Sequence, residues 1–223
     1  MTRRQLCLRV FNFKWENLGM DTYLSNLNRL NLAFYCEVVS TPEQVRIVAE
    51  VEKAVFPQDM QDSPSALHDF FLSEYAHGLI LRYGRKAVGV LKGDHLSEEN
   101  TCSELLQGDA LMDIIDITFY MDSVGVMQDV RSPQVLDFLM HEMAVDLHRF
   151  DYQFVTAHAR VKGGLSRLYQ RRYGAKVLAT YDNWCDFGEP FDYILVDLKN
   201  VPIQGLIRRS IYRLARRLYR LSE

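Results

Sequence analysis

A mixed α/β fold follows from three features of this 223-residue sequence. Helix-start signals recur at Thr41-Pro42, Ser63-Pro64 and Ser132-Pro133, each a capping side chain followed by a residue whose fixed φ suits a first helical turn. Short segments rich in β-branched and aromatic residues alternate with these helices. The longest such segment, Met112 to Val126, alternates apolar and polar side chains through its middle, which is the period of a strand.

Taken in order, residues 1–30 mix apolar and polar side chains and read as an N-terminal extension. Asn31 to Ser40 reads as a strand through Phe34, Tyr35, Val38 and Val39. Thr41 then caps a helix to about Phe56, with Gln44 placed to close a capping box and Val45, Val48, Ala49, Val51 (slightly off phase) and Val55 as its apolar side. Ser63-Pro64 opens a second helix through Leu67, Phe70, Phe71 and Tyr75, ended by Gly78. Leu79 to Tyr83 and Lys86 to Lys92 form a hairpin around Gly84-Arg85. Asp94 to Asp109 is polar and reads as loop.

In the long strand, Ile115, Ile117, Phe119 and Met121 point one way, and Asp116, Thr118, Tyr120 and Asp122 the other. Ser132-Pro133 starts a helix with an apolar stripe of Val135, Leu136, Leu139, Met143, Val145 and Leu147. A strand at Phe154 to His158 and a short helix from Gly164 to Tyr173 follow. Strands at Lys176 to Trp184 and Phe191 to Leu198 complete the domain, which spans residues 31–198. Residues 199–223 hold a last, basic amphipathic helix, Pro202 to Leu221.

A hydrophobic content of 48% is enough for a sizeable core, and no apolar run reaches the ~18 residues of a membrane span. Arg9, Asn12, Lys14 and Glu16 interrupt the first twenty residues, which excludes a signal peptide and points to the cytoplasm. Cys7, Cys36, Cys102 and Cys185 form no C-x-x-C pair and are expected to be reduced. His141-Glu142 begins like a zinc-protease motif, but Val145 stands where the second histidine belongs, so no metal is expected.

The net charge of −3 conceals an asymmetry: residues 200–223 carry six Arg against one acid, Glu223. Ile203, Leu206, Ile207, Ile211, Leu214, Leu218 and Leu221 form a stripe flanked by those Arg. Such a helix packs on the acidic body, lies on an anionic membrane surface, or docks an acidic protein such as an acyl carrier protein. No aromatic platform accompanies the Arg, so nucleic acid is not expected.

Several strings in order resemble the GNAT superfamily of acyl-CoA-dependent N-acyltransferases. The long strand ends Ser123-Val124-Gly125-Val126. The loop Met127-Gln128-Asp129-Val130-Arg131-Ser132-Pro133-Gln134-Val135-Leu136 stands where the family places Q/R-x-x-G-x-G/A, with Arg131 matching the basic residue and Gln134 and Leu136 at the small-residue positions. Leu168-Tyr169 followed by Gly174 resembles the family's Leu-Tyr helix, one residue longer than usual. Asn183-Trp184 and Gly188-Glu189-Pro190-Phe191-Asp192-Tyr193 resemble its closing hairpin. The resemblance implies a mostly antiparallel sheet flanked by helices, an acetyl-CoA or other acyl thioester co-substrate, and a small-molecule or peptide amine acceptor.

It also implies site residues. Val124, Gly125 and Val126 would present backbone to the thioester, and Arg131, Ser132 and Gln134 would lie at its pyrophosphate. The loop is poorly made for that task. Pro133 has no N–H, Gln134 and Leu136 crowd the approach, and Ser132 can cap the helix and take donors a phosphate would need. Tyr169 stands where the family places a general acid. On the polar side of the long strand, Asp122 is the first choice as base and Tyr120 and Asp116 are candidate substrate contacts, set against a plain solvated sheet face. Two functions stay open: acyl transfer to an amine, from acyl-CoA or from an acyl carrier protein at a membrane, and a non-catalytic binding or regulatory module on the same fold.

Overall fold

The computed structural model describes residues 34–96 and 111–201. The expected N-terminal extension and the basic helix at 202–221 lie outside the described residues. Seven strands form one sheet: β1 Phe34–Val38, β2 His77–Tyr83, β3 Lys86–His95, β4 Thr118–Val126, β5 Phe154–Arg160, β6 Lys176–Tyr181 and β7 Phe191–Asp197. Their spatial order is β1-β2-β3-β4-β5-β7-β6. Every neighbouring pair is antiparallel except β4 with β5. The mixed, mostly antiparallel sheet is therefore present.

The helices start where the capping residues place them. Helix α1, Pro42–Val55, has the complete capping box of Thr41 and Gln44. Helix α2, Pro64–Phe70, is capped by Ser63 and stops well before Gly78. Helix α3, Pro133–Leu147, is capped by the Ser132 hydroxyl, which accepts from the Val135 N–H. Helix α4, Leu165–Tyr173, begins after Gly163 and Gly164, whose positive φ values of 88° and 79° suit glycine alone. Val48, Val51 and Leu67 of α1 and α2 pack on Ile80 and Val90 on one face of the sheet. The α3 stripe, with Tyr169 and Tyr173 of α4, packs on Leu81, Leu91, Phe119 and Met121 on the other. Helix α3 is tied to α4 through Asp137, which accepts from Arg172 Nε at 2.8 Å and from the Tyr173 hydroxyl at 2.9 Å.

Two expectations for the long strand are corrected. Met112–Ile117 is a 3-10 turn, and β4 begins at Thr118. The pairing with β3 ends at Phe119 opposite His95, and that with β5 at Thr118 opposite Phe154, so residues before Thr118 have no ladder to join. Ile114 and Ile115 instead cover Tyr120 and Tyr193. Nor does one alternation run through β4. Lys92 pairs with Ser123 and Asp94 with Tyr120, so Gly93 alone faces both Met121 and Asp122. This β-bulge resets the parity: Tyr120 shares its side of the sheet with Ser123 and Gly125, not with Val124 and Val126. Gly93 admits the bulge because a Cβ there would stand 2.1 Å from the Tyr120 carbonyl oxygen.

Candidate active site

The parallel pair β4–β5 is short. Thr118 pairs with Phe154, Phe119 with Val155 and Tyr120 with Thr156, and there the ladder stops. Beyond that point β4 stays on β3 as far as Val126, while β5 stays on β7 as far as Arg160. The two strands therefore part, opening a wedge in the middle of the sheet. Its β4 side is Met121 to Val126, whose β5-facing edge has no strand partner among the described residues.

Helix α4 brings Tyr169 to the point of parting from the α3 face. Its hydroxyl lies 3.9 Å from the Met121 sulfur and 3.8 Å from the Met140 sulfur. Thioethers are weak acceptors, so this buried O–H lacks a strong partner. Burial holds the phenol well above its ordinary pKa, so it stays protonated and has a proton to donate. Three residues before it, Ser166 donates to Asp192 of β7, which also accepts from Thr180 of β6 at 2.7 Å. That buried contact fixes α4, and with it Tyr169, against the sheet.

Asp122 reaches the wedge from the other face. It is bonded to the Lys92 ammonium, which is 2% exposed and also lies 2.7 Å from Asp62 and 3.8 Å from Glu52. Burial alone would lower the Lys92 pKa, but the three carboxylates outweigh it and hold the group charged. Burial pushes Glu52 up to about 7, with Asp62 and Asp122 adding to the rise and Lys92 opposing it. Tyr120 stands on this face too, its hydroxyl sharing a 2.9 Å hydrogen bond with His158 Nδ1. His158 of β5 stacks on Trp184, with ring centroids 3.6 Å apart. Burial pushes its pKa down to about 3, so the ring is neutral. At the far end of β5, Arg160 meets Glu189 at 2.6 Å.

Asp122 and Tyr120 thus lie beside the point of parting on one face of the sheet, and Tyr169 lies beside it on the other. Asp116 is in neither place: it lies in the exposed turn before β4, at the other end of the strand. The loop after Val126 is turned inward on itself. Arg131 gives two hydrogen bonds to the Val126 carbonyl, at 3.0 and 2.9 Å. The N–H groups of Val130, Arg131 and Leu136 bond within the turn, and that of Val135 bonds the Ser132 hydroxyl. Gln134 is half-buried beside them. This helix start fits a pyrophosphate poorly, because most of its donors are already spent.

This structure resembles many solved structures, among them the following three. A GNAT-family protein from Desulfovibrio desulfuricans shares 12% identity over 74% of this chain and 99% of its own, with a TM-score of 0.56. The ribosomal-protein-S18-alanine N-acetyltransferase of Escherichia coli shares 10% identity over 74% of this chain and 94% of its own, with a TM-score of 0.56. The fold is that of the GNAT acyltransferases. Arabidopsis thaliana NAA60, solved in complex with acetyl-CoA, shares the GNAT fold at 14% identity over 74% of this chain and 97% of its own, with a TM-score of 0.55. No family model and no curated protein sequence matches the chain.

Lys92, Glu52, Asp62 and His158 were not singled out from sequence, though two carried a signal. Glu52 sits at the spacing of Val48, Val51 and Val55, a carboxylate on an apolar stripe. Lys92 ends the apolar run Ala87-Val88-Gly89-Val90-Leu91. A charge on a face bound for the core calls for a partner.

Replacing Glu52 by Gln tests its environment. The folded protein keeps a proton on Glu52 between pH ~4.5 and ~7 that the unfolded chain has released, so this group adds stability as pH falls through that window and costs stability above it. Glu52→Gln should therefore stabilise the fold at pH 8, by ~2 kcal/mol after discounting for solvent near Asp62 and Asp122, and little at pH 5. Urea unfolding of both proteins at the two pH values checks this, and an equal effect at both would refute it.

Proposed function

We propose that this chain transfers an acyl group from a thioester, acetyl-CoA or a longer acyl-CoA, to an amine. The position of Tyr169 supports this most: a protonated hydroxyl whose hydrogen-bond partners among the described residues are two thioethers, at the point where β4 and β5 part. In this reading the thioester lies along the free edge of Val124, Gly125 and Val126, whose backbone polarises the carbonyl. The acceptor amine arrives from the face of Asp122 and Tyr120. Asp122, 37% exposed and so open to the acceptor, takes a proton from the ammonium. The amine lone pair attacks the carbonyl carbon, the adduct nitrogen gives its second proton to water, the C–S bond breaks, and Tyr169 protonates the departing thiolate. Solvent returns the Tyr169 proton and removes the one on Asp122.

A second reading keeps the fold without the reaction. It rests on Arg131, Ser132 and Pro133, which leave the α3 start little to offer a pyrophosphate. The same feature suits an acyl carrier protein as donor, recognised through its protein surface. Calorimetric titration with acetyl-CoA, longer acyl-CoAs and an acylated carrier protein separates the readings. Micromolar binding of any of these supports transfer, and no binding of all three leaves the non-catalytic module.

Arg131→Ala sharpens the test. If the guanidinium only braces the Val126 carbonyl, its loss changes acetyl-CoA affinity by less than about threefold; a loss of tenfold or more would show a phosphate contact made on binding.

A further inference from the structure

We propose that Lys92 is the positioning residue of the acceptor side of the wedge: its ammonium holds Asp122 of β4 at the opening and draws the Asp62 end of the α1–α2 link over it. The inference rests on the reading of Asp122 as the proton acceptor. Lys92 leaves β3 toward the α1 face, where Glu52 of α1, Asp62 of the link and Asp122 of β4 surround its charge. The Phe70 ring of α2 lies 5.0 Å from Nζ. One buried cation thus joins side chains from four separate segments.

The charges explain why a lysine is needed there. Without the ammonium, the buried Glu52 and the half-exposed Asp62 and Asp122 would face one another with no cation between them. Mutual repulsion would turn Asp62 and its link outward and would turn Asp122 away from the wedge or protonate it. Glu52 cannot replace the ammonium, since it is itself anionic or neutral. Its Oε2 is buried with no partner among the described residues, and the carboxylate is held by Lys92, by the Asp62 backbone N–H and by the weak 3.5 Å contact from Ser123. Apolar packing alone would place α1 on the sheet, but it would not orient Asp122.

The test uses the full chain with Lys92→Met, which keeps the length and removes the charge, and Lys92→Arg, which keeps the charge. Hydrogen exchange of amides 57–63 and the carbon-13 titration of the Glu52 carboxyl are read in each. For a folded Lys92→Met, exchange over 57–63 should rise at least tenfold while α3 and α4 are unchanged. Its Glu52 midpoint should move above the wild-type value of about 7, since the cation that pulled it down is gone. Lys92→Arg should restore most of both. A folded Lys92→Met with unchanged exchange and titration overturns the proposal. So do equal losses in both variants, because a packing defect ignores charge. If Lys92→Met does not fold, Asp62→Asn removes only the tether of the link. Faster exchange confined to 57–63 then supports the proposal, and unchanged exchange overturns it. None of these readouts needs a thioester. Failed thioester binding therefore removes the acyl-transfer reading without touching them.

Discussion

Replacing Tyr169 by phenylalanine is expected to slow acyl transfer by ~100-fold or more while leaving the fold intact. The variant deletes one oxygen whose neighbours are the sulfurs of Met121 and Met140. Little hydrogen-bond energy is lost, because thioethers accept weakly, and a buried hydroxyl is replaced by an apolar ring of nearly the same shape. Stability should stay within about 1 kcal/mol or rise. The reaction loses the proton donor at the point where β4 and β5 part, and the thiolate must leave unprotonated or take a proton from water. Thiol release from acetyl-CoA in the presence of amines, with urea midpoints for both proteins, measures the two effects. An unchanged rate in a folded variant would remove Tyr169 from the mechanism, and a large loss of stability would make it a packing residue.

Replacing Asp137 by alanine should have the largest effect on stability, ~3–4 kcal/mol. Asp137 is 5% exposed and accepts from Arg172 and from the Tyr173 hydroxyl, joining α3 to the end of α4. Its loss leaves the Tyr173 hydroxyl buried without an acceptor and Arg172 without its anion, and breaking such a pair costs more than the pair contributes. Because α4 carries Tyr169, transfer should fall as well. Asp137→Asn should recover part of both losses, since its side-chain oxygen still accepts one hydrogen bond. Chemical denaturation of the three proteins gives the comparison, and a loss below ~1 kcal/mol in the alanine variant would refute the clamp.

Much of this fold could be read in advance. Thr41-Pro42, Ser63-Pro64 and Ser132-Pro133 mark three helix starts that the structure keeps. These are local rules: a capping oxygen and a proline act within one turn, whatever lies beyond. The period-two segments place strands β2, β3, β5 and β7 for the same reason, with ends that move by a few residues. The legible order of the elements is what places Tyr169, Asp122 and Tyr120 near the parting of β4 and β5.

What failed in the sequence reading depended on partners. Met112–Ile117 alternates like a strand and coils as a 3-10 turn, because neither β3 nor β5 extends to pair with it. The bulge opposite Gly93 breaks the parity of β4, and only the register with β3 decides where a bulge falls. The same holds for the cation at the centre of the site. Lys92, Glu52, Asp62 and Asp122 come from four places in the chain, and nothing in their spacing predicts that they meet. The sequence by itself determined the elements, their GNAT order and the Ser132-Pro133 start of α3. Only the tertiary structure decided that β4 and β5 part beyond Tyr120, which way Asp122 points, and that a buried lysine holds it there. Capping and periodicity are written within a few residues, whereas register and charge pairing belong to segments that become neighbours only on folding.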